Sequence, residues 1–172
     1  MSLLIFVYRH QQIIALKSRL NFKLLELNKK IMDLQSYAAN IADGTVSAND
    51  LMTCPPAMFN RMSIFMQYSH QSAIAGARQK FDYMSQIPGV MPQIQDPALQ
   101  QQYQDMMFKN LYEQEREKTA KVEEKMLHAQ ETKIEQEKAQ IETQLKMLDA
   151  EEEKVASAED SAAKKAAPQY VA

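Results

Sequence analysis

The sequence predicts an all-α protein, a helical bundle or coiled coil with one long extended C-terminal helix. Three observations lead there. Only three glycines and no tryptophan occur in 172 residues, so turn signals are few. Apolar residues recur every seven positions along two separate stretches. No glycine or proline interrupts the chain between Pro97 and Pro168, a stretch rich in the strong helix formers Glu, Lys, Gln, Ala, Leu and Met.

The first element is expected over about residues 3–43. Leu3-Leu4-Ile5-Phe6-Val7-Tyr8 is apolar on all sides and wants burial. It is far too short to span a bilayer. It has no basic stretch before it and no small-residue cleavage site after it, so a cleavable signal peptide is not expected. The expected location is the cytoplasm, or outside it by export without such a peptide. Phe6, Ile13, Leu20, Leu27, Leu34 and Ile41 then form an unbroken heptad d column. Leu3, Leu24, Ile31 and Ala38 fill most of the a column, with His10 and Lys17 as polar breaks. Lys23 and Lys30 fall at g positions, where they are expected to meet glutamates of the C-terminal helix. Asp43-Gly44 is expected to close the helix, glycine suiting the left-handed cap.

Near that close, Ser36-Tyr37-Ala38-Ala39-Asn40-Ile41-Ala42-Asp43 resembles the segment that ends the first helix in flagellar rod and hook axial proteins. There an Ala-Asn-Asn-Ile-Ala-Asn-type run occupies the place. The resemblance covers about eight of the 172 residues. The second Asn is absent here and the following loop does not match. What it implies is limited to an exported, helical assembly subunit.

A short helical turn is expected from Ser47 to Met52, with Ser47 as cap and Asp50 in its first turn. Cys54-Pro55-Pro56 breaks it. A second substantial helix is expected at about 56–86, with the stripe Met58, Met62, Phe65, Ser69, Ser72 and Gly76. Its second half is small-sided (Ser69, Ser72, Ala73, Ala75, Gly76, Ala77), which lets another helix approach closely. Gln67, His70, Gln71, Arg78 and Lys80 forbid a membrane span there. Residues 1–95 are thus expected as a helical hairpin.

Pro88-Gly89, Pro92 and Pro97 keep the next connector irregular. Asp96 is a good N-cap and Pro97 a good first helical residue. The long charged helix is expected over 96–155, about 90 Å at about 1.5 Å per residue. Its opening turns, with Tyr103, Met106, Met107, Phe108, Leu111 and Tyr112, are expected to pack on the hairpin. Further along, Ala120, Leu127, Ile134, Ile141, Leu148 and Val155 make a second d column, while its a column is largely polar: Glu124, Glu131, Lys138, Leu145 and Glu152. Glu117–Lys121, Glu142–Lys146 and Asp105–Lys109 have the spacing of i,i+4 ion pairs. Residues 156–172 are expected as a disordered tail.

Charge is uneven along the chain. Residues 1–40 carry six Lys/Arg against two acids, and residues 101–172 carry eleven against sixteen. Opposite ends can therefore attract, within a chain or between chains. The overall net charge of −2 gives no nucleic-acid signature. Cys54, the only cysteine, cannot form an internal disulfide and has no sequence-evident base beside it. Glu124, His128 and Glu131 share a helix face but lack the Glu-x-x-His spacing and the second copy of a bundle metal site. No phosphate loop, nucleophile elbow or zinc spacing occurs.

The functional expectation is a non-enzymatic structural or protein-interaction subunit without cofactor, metal or evident small-molecule substrate. Its interaction seam is expected at Phe6, Ile13, Leu20, Leu27, Leu34, Ile41, Leu127, Ile134, Ile141 and Leu148. The expected partner is the chain itself or another helical protein, the subunit forming part of a secreted or other macromolecular assembly. The alternative is a peripheral membrane module whose basic N-terminal helix lies on an anionic membrane surface.

Overall fold

The computed structural model describes residues 3–42, 46–90, 92 and 94–166. Among these the chain is all-α, with four helices: α1 (Leu3–Ile41), α2 (Ala48–Thr53), α3 (Phe59–Gln86) and α4 (Pro97–Ala166). No helix among the described residues is long and apolar enough to cross a membrane.

Local chemistry explains the element ends. Ser47 caps α2 with a full capping box, its hydroxyl accepting the Asp50 N–H while the Asp50 carboxylate accepts the Ser47 N–H at 2.8 Å. Pro55-Pro56 and the following residues first form a turn, with the Met58 N–H on the Pro55 carbonyl at 2.8 Å. The helix expected from 56 therefore starts at Phe59. Asp96 caps α4, its carboxylate accepting the Ala98 N–H at 2.9 Å. Gly89 takes the left-handed conformation, φ 83°, in the connector. The expected Asp43-Gly44 cap lies outside the described residues.

The tail expectation is corrected in part. Helix α4 continues through 156–166, where disorder was expected. Alanine, the best helix former, is the commonest residue of that stretch, and Lys164 and Lys165 suit the negative end of the helix dipole. Residues 167–172 lie outside the described residues.

The chain divides into two compact units. Unit 1 joins Met1–Ile31 to Thr132–Ala172, and so holds the first part of α1 and the last part of α4. Its ion pairs run antiparallel: Arg9 reaches Glu151, and His10 and Lys17 reach Glu159, Glu152 and Asp149. Ile13, Leu27 and Ile141 are buried there. Burying each such side chain stabilises by about 1.5–3 kcal/mol.

Unit 2 is Met32–Glu131 and contains the end of α1, all of α2 and α3, and the start of α4. It is a helical bundle whose core includes Leu34, Tyr37, Ile41, Met62, Phe65, Leu111, Ala120 and Leu127. α3 and α4 run antiparallel, as Arg61 meets Glu123, His70 meets Tyr112 and Lys80 meets Glu115. Phe81 and Phe108 meet edge to face with ring centroids 6.3 Å apart.

Candidate functional site

The expected seam is where the chain packs on itself. In unit 1, Ile13, Leu27 and Ile141 are buried, and Phe6, Leu20, Ile134 and Leu148 are half-buried. In unit 2, Leu34, Ile41 and Leu127 are buried. By its spacing alone the front d column is expected to be covered by a partner. Instead its residues are already covered by this chain, so the free apolar surface lies elsewhere.

The polar breaks in unit 1 answer one another. Lys17 of α1 places Nζ 2.6 Å from Asp149 and 2.5 Å from Glu152. His10 lies 3.2 Å from Glu159 and 3.4 Å from Glu152. Arg9 donates through Nε and Nη2 to Glu151 Oε1 at 2.8 and 2.6 Å. These cations make the ion pairs with the acidic helix. Lys30 pairs along its own helix with Glu26 at 2.9 Å and feels the charge of Glu137 on α4, as expected of it. Glu117–Lys121 forms as expected at 2.7 Å.

The Lys17 hydrogen bond holds the Glu152 carboxyl below its usual ionisation range, with His10 adding to it. A depressed carboxylate stabilises the fold at pH above its unfolded value of about 4.5, and that contribution disappears as pH falls through the folded value. Acid should therefore loosen unit 1 below the ordinary carboxylate range. Thermal melts followed by circular dichroism across that range should show a falling Tm, and Glu152→Gln should flatten the fall. An unchanged acid limb in the variant would show that other carboxylates carry it.

Unit 2 is organised around Tyr37 and Glu123. The Tyr37 hydroxyl donates to Glu123 Oε1 at 3.1 Å, and Arg61 Nε donates to the same oxygen at 2.6 Å. Arg61 also stacks over the Tyr37 ring, 5.6 Å from its centroid, and reaches Gln130 at 2.6 Å. Burial, then the Glu123 charge, pushes the Tyr37 phenol well above its ordinary 10.0. Three helices are thus tied by one half-buried acceptor.

α3 meets α4 along its small side. Ser69, Ala73 and Ala77 are fully buried. They sit four residues apart, one turn each, and the Ser69 hydroxyl is satisfied by the Met66 carbonyl at 3.2 Å. A Cβ on Gly76 would lie 3.0 Å from Glu115 Cγ. Glu115 itself is anchored by Lys80 at 2.5 Å and Lys118 at 2.9 Å, and these hydrogen bonds lower its pKa.

Two exposed apolar surfaces escaped the heptad reading. In unit 2, Ile64 and Tyr68 of α3 and Val122 and Met126 of α4 are exposed and line one open furrow with Phe65, Thr119, Arg61 and Glu123. Their signal in the sequence was two plain i,i+4 pairs. In unit 1, Leu4, Tyr8, Ile14, Phe22 and Leu25 of α1 are exposed. Only Leu4/Tyr8 and Phe22/Leu25 stand one helical turn apart, a weaker signal than the unbroken seven-residue column beside them.

Cys54 is buried, and its thiol pKa is raised by burial and then by the Asp33 charge. His128 Nδ1 lies 3.6 Å from Glu131 on the surface of α4. Among the described residues no group of three or more His, Cys, Asp or Glu side chains is arranged to hold a metal ion. No family model, no curated protein and no solved structure matches the chain, so the eight-residue likeness to flagellar axial proteins has no family match beside it.

Proposed function

We propose that the protein is a non-enzymatic structural or protein-interaction subunit that associates through its helices, as part of a larger assembly. Its partner is a second copy or another helical protein seated in the α3–α4 furrow. The supporting observation is the pair of apolar ridges left in solvent, Ile64/Tyr68 on one helix and Val122/Met126 on its neighbour. Such a furrow suits the apolar face of an amphipathic helix. Its rim carries both signs, Arg61 and Glu123, so a second copy meets no field of like charge. The raised thiol pKa of Cys54 is the reverse of what a thiolate nucleophile needs, which supports a reading without catalysis.

Light scattering across a concentration series tests this. The expected result is a mass above that of one chain, returning to one chain in Val122→Glu. A protein that stays at one chain mass at every concentration, and brings no helical protein with it from its native source, ends the proposal.

A further inference from the structure

Helix α1 carries two apolar faces within unit 1. The inner one, with Ile13, Leu20 and Leu27, is the packed seam. The outer one, with Leu4, Tyr8, Ile14, Phe22 and Leu25, stands in solvent; Phe22 is 71% and Leu25 67% exposed. At about 100° per residue, Leu4, Tyr8, Phe22 and Leu25 fall within an arc of about 100° on the side opposite the seam. The uncharged Gln11, Ala15 and Ser18 fall in the same arc, and Glu26, paired with Lys30, lies at its edge in line with Tyr8.

Charge decides what suits this face. Residues 3–31 hold six cations and one acid, Glu26. Arg9 and Lys17 are turned to α4, and Lys30 takes Glu26. Arg19, Lys23 and Lys29 are exposed and make no ion pair within 4.0 Å among the described residues. Arg19 borders the outer stripe, Lys29 continues it one heptad beyond Phe22, and Lys23 lies on the flank between stripe and seam. An outer face of a second copy would bring like charges together. The α4 portion of unit 1 exposes Met147 as its one large apolar side chain among the described residues, so it offers no matching stripe.

We propose that the outer face of α1 in unit 1 lies on anionic lipid headgroups, with Phe22, Leu25, Leu4 and Tyr8 entering the interface and Arg19, Lys23 and Lys29 meeting phosphate and carboxylate groups. Apolar side chains on one face with flanking Lys and Arg are what an interfacial helix requires. The acidic α4 side of the unit is repelled from the same surface, which sets the orientation. This proposal stands apart from the α3–α4 furrow.

Cosedimentation of the full chain with phosphatidylserine/phosphatidylcholine vesicles, against phosphatidylcholine alone, tests it at low and high salt. Binding is expected on the anionic vesicles, weakening with salt. Each cation removed should lower the partition coefficient about fivefold. Lys23→Glu/Lys29→Glu and Phe22→Glu/Leu25→Glu should each abolish sedimentation while circular dichroism stays unchanged, since these side chains are exposed. Tyr83→Glu, at an exposed position of α3 outside both apolar surfaces, should bind as the parent does. Absence of binding to anionic vesicles at low salt overturns the proposal. So does equal binding by Phe22→Glu/Leu25→Glu, or a drop in solution mass in that variant without any vesicle binding.

Discussion

Tyr37→Ala should destabilise unit 2 by about 3–5 kcal/mol, the range for deleting a large buried aromatic ring. The ring is fully buried, so its loss leaves a cavity among Leu34, Ile41 and their neighbours rather than an exposed notch. The loss is compounded by polar groups. Glu123 keeps Arg61 but loses the phenol, and the Arg61 guanidinium loses the ring beneath it. Tyr37→Phe separates the two effects. It keeps the ring and removes one hydrogen bond, about 0.5–1.5 kcal/mol. The phenol's raised pKa adds a further signature. A group held neutral above its unfolded pKa gives stability below that value and loses it as pH rises past about 10 towards the folded value. Tyr37→Phe should remove that part of the alkaline destabilisation. Urea unfolding with hydrogen exchange should place the loss in residues 32–131. A Tyr37→Ala variant within about 0.5 kcal/mol of the parent would mean that the three-helix tie contributes little.

Ala73→Leu is expected to be the other severe change, destabilising by about 1–3 kcal/mol or more through overpacking. Ala73 is fully buried, with fully buried Ser69 and Ala77 one turn away on either side. The nearby approach is already tight at Gly76, where even a methyl group would press on Glu115. An isobutyl group at 73 has to push α4 away or distort its own rotamer. Ala75→Leu gives the comparison, because Ala75 is exposed on the same helix. It should stay within about 0.5 kcal/mol of the parent. Equal stability of the two variants in urea titrations would show that the small face of α3 is loosely packed.

Periodicity made the helices legible before any coordinates. Phe6, Ile13, Leu20 and Leu27 announced a helix and its inner face, because 3.6 residues per turn keeps a sevenfold repeat on one side. Asp96-Pro97 announced where α4 starts, and Ser47 with Asp50 announced a cap, because these are local chemistry. What covers the inner face was not local. The seven-residue column is the same whether its cover is another chain or a distant stretch of this one. Only the pairing of His10 and Lys17 with Glu152 and Glu159, far away in sequence, distinguishes them. The α3–α4 furrow was hidden for a similar reason. Ile64 and Val122 become one surface only after two helices are laid side by side.

Lys17 and His10 also limit how far one helix of unit 1 can slide along the other. A repeating apolar column is indifferent to a displacement of one heptad, since each leucine or isoleucine would find another in its place. The charged positions are not indifferent. Moved one way, Lys17 would face Leu145 in place of Glu152 and keep a single acceptor, Glu142 in place of Asp149. Sites that interrupt the oily repeat therefore act as an alignment key, disfavouring staggered pairings that the repeat alone would permit.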